Sequence, residues 1–368
     1  MCPVRLPTGD TALLVTRHAD NRALLADERF SRAAAARVGA PRARRIPLDS
    51  AAITTLDGAD HARLRSAVAR AFTNRRVRAL RPSIEKRALE LADALAEAGP
   101  PGDLVGDFAR PFALDVVAGL LGIAVPDFPA FRRLTDAYLS VDGHTPEQIR
   151  KAVLSLKGML AELVAARRAE PADDVIGVLV EKSADGSAEL SDAEIVTFGV
   201  TLLVAGYETV AALVANVAVV LLRHPEQLRL LGERGGLHAS AVEELLRYTA
   251  ISPAGGTLRV AVEDMELGGS TIRAGQAVQP STVAANRDPR VFAAPDTLDL
   301  ERPDNPHLAF GHGVHHCLGA NLARAELKAA FDALLTRLPG FRAAVPLDDL
   351  AWDNHKIIRG PAALPLTW

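Results

Sequence analysis

Along most of the chain apolar residues return every three or four positions with charged residues between them, the pattern of amphipathic helices. The spacing predicts helices over 81–98, 112–121, 128–139, 146–168, 173–182, 225–234, 237–249 and 320–338. The first stops at the breaker Gly99-Pro100-Pro101. One segment differs. From about 191 to 223 the chain is apolar on every side, opens on the capping box Ser191-x-x-Glu194 and stops before His224-Pro225. As a helix it would extend about 48 Å, enough to cross a whole domain.

Residues 198–222 hold a single charge, Glu208. A stretch that long passes the ~18-residue test for a membrane span. Three features argue for the middle of a large soluble protein instead. An acid at mid-membrane costs about 2.5–3.5 kcal/mol. The capping box marks an ordinary helix start. The neighbouring segments are charged amphipathic helices, so no membrane partner is expected.

Beyond residue 250 the texture changes. Short runs at 257–262, 265–267, 271–273 and 277–282 alternate with the turns Glu263-Asp264 and Gly268-Gly269, and read as one small antiparallel sheet. The irregular stretch 285–316 exceeds the ~12–15 residues usual for structureless loops, which implies a function for it. The C-terminal tail is strand-like and broken by prolines. With no internal repeat and no low-complexity linker, residues 1–368 read as a single domain, mainly α with small β-sheets.

Composition narrows this picture. Of 368 residues, 49% are hydrophobic, enough for a sizeable core. A net charge of -3 leaves no nucleic-acid footprint. The only cysteines, Cys2 and Cys317, lie at opposite ends, which rules out a disulfide framework and suits a reducing, cytoplasmic setting. Cys2 reads as a flexible terminal thiol. The N-terminal residues lack the apolar core of a secretion signal.

Cys317 carries the candidate chemistry. It closes the run Phe310-Gly311-His312-Gly313-Val314-His315-His316-Cys317-Leu318-Gly319, just ahead of a predicted helix. Glycines let the backbone approach a flat cofactor and aim N–H groups at sulfur, and the helix start adds positive potential beside a thiolate. That is a setting for a haem-iron ligand. A buried structural cysteine is the plain alternative. Zinc held by His312, His315, His316 and Cys317 has workable ligand types. Adjacent residues rarely all reach one ion, however, and no second ligand pair lies elsewhere.

The segment 310–319 resembles the haem-ligand signature of the cytochrome P-450 superfamily, and further stretches match in order from about residue 14 to the end. The resemblance implies that fold, with haem b between the helix 191–223 and the Cys317 loop and its helix. Cys317 would be the iron ligand, with Phe310, Gly311 and Gly319 beside the cofactor. Ala205-Gly206-Tyr207-Glu208-Thr209 matches the stretch over the distal haem face. There Ala205 and Gly206 would leave room for dioxygen and substrate, Thr209 would hydrogen-bond the bound oxygen, and Glu208 would feed protons. His61 and Arg65, one helical turn apart, would hold the haem propionates together with Arg259 and His315. Glu244-x-x-Arg247 would join Arg302 in a structural brace. Thr201, Val204, Ala254, Gly255 and Gly256 would line the substrate pocket.

The sequence departs from the family in three places. A helix and a strand usually precede the segment resembling 12–17. The stretch 39–55 is compact. Gly255 and Gly256 stand where bulky apolar side chains usually point into the pocket. Together these suggest a wide site for a large substrate, a peptide or carrier-bound intermediate.

By resemblance the chain is a soluble bacterial haem-thiolate monooxygenase of natural-product metabolism. It would hydroxylate or epoxidise a small-molecule or peptide substrate with O2. Electrons would come from a ferredoxin and ferredoxin reductase, and the chain would act as a cytoplasmic monomer. Oxidative cross-linking of aromatic rings by the same haem is the alternative. A non-enzymatic haem sensor would not need the Glu208–Thr209 pair.

Overall fold

The computed structural model describes residues 1–44, 49–69, 72–184, 186 and 190–368. Its axis is the helix Asp192–Leu222, 31 residues long. The capping box closes both ways. Ser191 Oγ accepts the Glu194 N–H at 3.3 Å, and the Glu194 carboxylate accepts the Ser191 N–H at 2.9 Å. The helices Arg110–Leu121, Pro146–Ala169, Val175–Ala184 and Pro225–Glu233 pack around it. Among the described residues it is the one helix long and apolar enough to cross a membrane, and 72% of its most apolar window is buried inside the protein. Its uniform apolarity is therefore satisfied by other helices.

The remaining predicted helices are found at Asn74–Ala98, Phe128–Tyr138, Ala239–Tyr248 and Ala320–Arg337. The first starts earlier than its apolar period suggests. Thr73 caps it by accepting the Arg76 N–H at 3.3 Å, and the polar opening Asn74-Arg75-Arg76 hides its first turns. It lies along Ala320–Arg337. A π-helical turn, Leu104–Ala109, leads directly into Arg110–Leu121 and was not legible. The helices His18–Ala26 and Gly58–Ala69 complete the side of the molecule near the Cys317 loop.

The strands beyond residue 250 do not form one sheet. Met265–Leu267 and Ser270–Ile272 make an isolated hairpin over Gly268-Gly269. Arg259–Ala261 and Ala277–Pro280 instead join a five-stranded sheet with Cys2–Arg5, Thr11–Val15 and Phe30–Ser31. In it Thr11–Val15 runs parallel to Ala277–Pro280. The parallel partner comes from the other end of the chain, which local alternation cannot reveal. Cys2 is consequently not a loose terminal thiol, because its strand pairs with Leu14. That strand also precedes Thr11–Val15, so the strand taken as missing is present. The tail supplies Pro365–Thr367 to a small sheet with Gly102–Asp103 and Arg342–Ala343.

Candidate active site

Cys317 follows a 3-10 turn, Gly313–His315, and precedes the helix Ala320–Arg337. Gly313 has a φ of 72°, and a Cβ there would lie 2.5 Å from the Leu25 carbonyl oxygen, so only glycine fits. The reversal lets the Cys317 N–H donate to Phe310 O at 2.9 Å. Burial holds the thiol above the ordinary cysteine value, opposed by the Gly319 N–H at the sulfur and by the charges of Arg65 and Arg324. Yet Cys317 is accessible to solvent. A sulfur enclosed by protein and still accessible lines a cleft. Phe310 is half-buried under the Arg324 guanidinium, 4.6 Å from its ring centre. Among the described residues no three His, Cys, Asp or Glu side chains converge as a metal site, so the zinc set has no supporting geometry.

Open space also reaches the central helix. Ala205 is exposed although Leu203, Val204, Tyr207 and Glu208 around it are buried. Gly206 plays a different part from the one expected. A Cβ on it would lie 2.7 Å from Val117 Cγ2, so its missing side chain admits the helix Arg110–Leu121 and not a ligand. Ala205 is the more open of the pair.

Thr209 Oγ1 donates to the Ala205 carbonyl one turn back. Its neighbour Glu208 is buried and doubly held. Thr135 Oγ1 donates to Glu208 Oε1 at 3.0 Å, and Lys356 Nζ lies 3.3 Å from Oε2. Lys356 comes from the tail, fixed by pairing with Ser140 and by the Ile357 N–H to Leu139 O at 3.1 Å. Its ammonium also meets Asp136 at 2.6 Å and Asp353 at 3.0 Å. Burial alone would lower the Lys356 pKa, but the carboxylates of Glu208 and Asp136 raise it, so the ammonium stays charged. A cleft of about 30 Å³ lined by Arg110, Glu208, Asp353 and Lys356 adjoins this group. Nothing in the local sequence links Lys356 to Glu208, and sequence reasoning missed it.

A cationic cluster forms on the other side. Arg259 is 2% exposed and its Nε has no partner. Its remaining contacts are long bonds to the Phe30, Leu24 and Leu25 carbonyls at 3.2–3.4 Å. Burial pulls its pKa down to about 10. Arg32, also missed, has an unpartnered buried Nε and is pulled down to about 9 by burial and by the charge of Arg259. His61 lies against His315 with ring centres 4.1 Å apart and the rings tilted by 46°, and its Nε2 is buried without a partner. Burial lowers His315 to about 4, although Asp57 lies 3.4 Å away and opposes this. Arg65 Nη2 donates to His316 O at 2.6 Å. Asp57 is held ionised against its burial by hydrogen bonds from His315, Ser31 and Ala33. Asp57 is the carboxylate that Arg32 and Arg259 share, Asp27 also acts on Arg259, and with Arg65 alongside the positive charge of the cluster is in excess.

Glu244, Arg247 and Arg302 meet as expected. Arg247 grips both Glu244 oxygens at 2.7 Å, and Arg302 Nε reaches Oε2 at 3.0 Å. The guanidiniums then bind the carbonyls of Asn286, Ala293, Pro295 and Thr297. This brace replaces regular secondary structure for the stretch leading to Cys317.

Of the expected pocket residues, Thr201 lines a cavity of about 280 Å³, and Val204, Ala254, Gly255 and Gly256 lie outside its lining. The two glycines do not widen a site. A Cβ on Gly255 would strike Thr282 Oγ1 at 2.2 Å, and one on Gly256 would meet Pro280 Cγ at 2.6 Å. They let the chain pack against the end of Ala277–Pro280, and the inference of a wide pocket loses that support.

The Cytochrome P450 family matches residues 237–348 of the chain. Nocardicin C N-oxygenase of Nocardia uniformis subsp. tsuyamanensis is 45% identical over 366 residues, which cover 99% of this chain and 92% of that protein. The chain belongs to the cytochrome P-450 family. Mycinamicin IV hydroxylase/epoxidase of Micromonospora griseorubida is 42% identical over 365 residues, covering 99% and 91% of the two chains. A crystal structure of a cytochrome P-450 with biaryl coupling reactivity superposes with a TM-score of 0.91 at 38% identity, covering 98% and 91%. The chain is accordingly a monooxygenase of the natural-product type with haem as its prosthetic group, and it draws on redox partners, an organic substrate and O2. The residues fit haem. An accessible enclosed sulfur suits an iron, and buried donors with excess positive charge suit two propionates.

Proposed function

We propose that this enzyme inserts oxygen into an organic metabolite through a proton relay in which Glu208 and Thr209 are the terminal members. Haem, when bound, supplies an iron centre that activates dioxygen. Cys317 holds that centre through its sulfur, with the Gly319 N–H and the start of Ala320–Arg337 tuning the sulfur's charge. Arg65, Arg259, His61 and His315, joined by Arg32, anchor the propionates. Ala205 leaves space on the central helix.

The observation that carries this reading is the set of contacts on Glu208. A carboxylate in an apolar helix is paired with the ammonium of Lys356 and adjoins a cleft large enough for about one or two waters. Water there hands a proton to Glu208 Oε2 and regains one from bulk solvent, and Glu208 releases its proton through a bridging water that reprotonates Thr209 as Thr209 gives its own away. Thr209 Oγ1, once it releases the Ala205 carbonyl, passes a proton into the space beside Ala205. Electrons arrive from a ferredoxin and its reductase, and the enzyme works as a cytoplasmic monomer.

Hydroxylation or epoxidation is the first outcome. Aromatic cross-linking is the second, favoured by the coupling reactivity of the 38% identical relative. Turnover with ferredoxin, reductase and labelled dioxygen tests both. Label in the product supports oxygen insertion. Loss of two hydrogens without label supports coupling. Reductant-dependent turnover that yields neither overturns the proposal.

A further inference from the structure

The cavity beside Thr201 holds a charge that the oxygen chemistry does not use. Arg44 is 7% exposed and lines this space. One of its Nη groups donates to the Tyr138 carbonyl. Its Nε has no partner, and no carboxylate lies within ion-pair distance among the described residues. A buried guanidinium with only a carbonyl to bind is costly, because burial removes water that nothing ionic replaces. Burial accordingly pulls its pKa below the ordinary arginine value.

The other charges of the cavity do not repair this. Asp49 is engaged by Lys157 Nζ at 2.5 Å and by the Ala51 N–H at 3.0 Å. Arg150 adds a further positive charge to the lining. The apolar remainder of the wall suits a hydrocarbon body. A cavity with an unanswered planar cation and apolar walls is complementary to an organic anion.

Position ties the cavity to the catalytic space. Thr201 lies one turn before Ala205 on the same face of Asp192–Leu222, about 6 Å along the axis. A molecule anchored at one end by Arg44 can run past Thr201 toward Ala205.

We propose that the substrate carries a carboxylate and that Arg44 is the residue that recognises it. The planar guanidinium matches a carboxylate through two parallel N–H bonds, a geometry that lysine lacks. Arg44 would fix which end of the substrate enters and hold the rest against the central helix. This rests on the oxygenase reading above, since it assigns the same pocket a substrate class.

The test uses the haem-loaded full chain and three probes of equal length: decanoate, decanamide and decylamine. Calorimetric titration gives each affinity without turnover. The expected result is decanoate binding about tenfold or more tightly than decanamide, with decylamine weakest. In Arg44→Leu the preference for decanoate over decanamide should fall to within about twofold, and Arg44→Lys should keep part of it. Arg150→Leu, at the same cavity, should retain it. Equal binding of decanoate and decanamide by the parent chain overturns the proposal, as does a preference that survives Arg44→Leu or vanishes in Arg150→Leu. If Arg44→Leu does not fold, the parent's preference and its partial retention in Arg44→Lys decide. The reduced CO spectrum of each preparation reports separately on the haem-thiolate reading, so the two can fail independently.

Discussion

The ammonium of Lys356 lies 3.3 Å from the carboxylate of Glu208, joining the C-terminal tail to the middle of the central helix. Both side chains are close to fully buried. A charge so placed depends on its partner, and losing one partner of a buried pair costs about 3–5 kcal/mol. Lys356→Met should therefore lower unfolding stability by about 3 kcal/mol. Adding Glu208→Gln should restore part of the loss, because no unpaired carboxylate then remains at mid-helix. Denaturant melts of the parent, both single variants and the double variant measure the coupling. Additive losses would mean that the pair does not interact.

Thr209→Ala should leave haem binding and folding unchanged while diverting oxygen to peroxide. Glu208→Gln should slow product formation by about a hundredfold, the lower range for a lost general acid. Oxygen uptake, peroxide and product, followed together, give the ratio that decides. Full coupling in Thr209→Ala would remove that residue from the relay.

Much of this site was legible because its parts are local. The glycine-framed Cys317 turn, the acid–alcohol pair at 208–209 and the Glu244–Arg247 spacing each sit within one short segment. The helices were equally visible, since a period near 3.6 needs no distant partner. What was missed is long-range. Lys356 reaches Glu208 from 148 positions away. Arg32 meets Arg259 only after the sheet has formed. The parallel pairing of Thr11–Val15 with Ala277–Pro280 joins distant strands. The glycines at 206, 255 and 256 were read as space when they mark close packing, which depends on neighbours that composition does not name.

Glu326, on the helix after Cys317, makes the stability dependent on pH. Burial pushes its pKa up to about 8 from an ordinary 4.5. The folded protein therefore binds a proton that the unfolded chain has released throughout the interval between those values. Stability falls as pH rises through that window. Glu326→Gln should flatten the decline, with little change near pH 5 and a higher melting temperature near pH 8. Melts across that range measure it. A parallel decline in the variant would assign the pH dependence to other groups.

Glu244→Ala should strand two buried guanidiniums, Arg247 and Arg302. A loss of about 3–5 kcal/mol is expected, with the stretch before Cys317 loosened first. Hydrogen exchange of the Leu308 amide, which donates to Asn286 Oδ1 at 2.7 Å, should accelerate in the variant. Unchanged protection there would show that the brace is not what orders this stretch.

The most direct measurement is the absorption spectrum of the purified protein, reduced and exposed to carbon monoxide, for the parent chain and for Cys317→His. The parent should give the red-shifted band of a thiolate-ligated haem, and the variant should lose it while Arg259 and its neighbours still retain haem. A parent spectrum typical of an imidazole ligand, or one unaltered by the substitution, would contradict the assignment of Cys317 as the iron ligand.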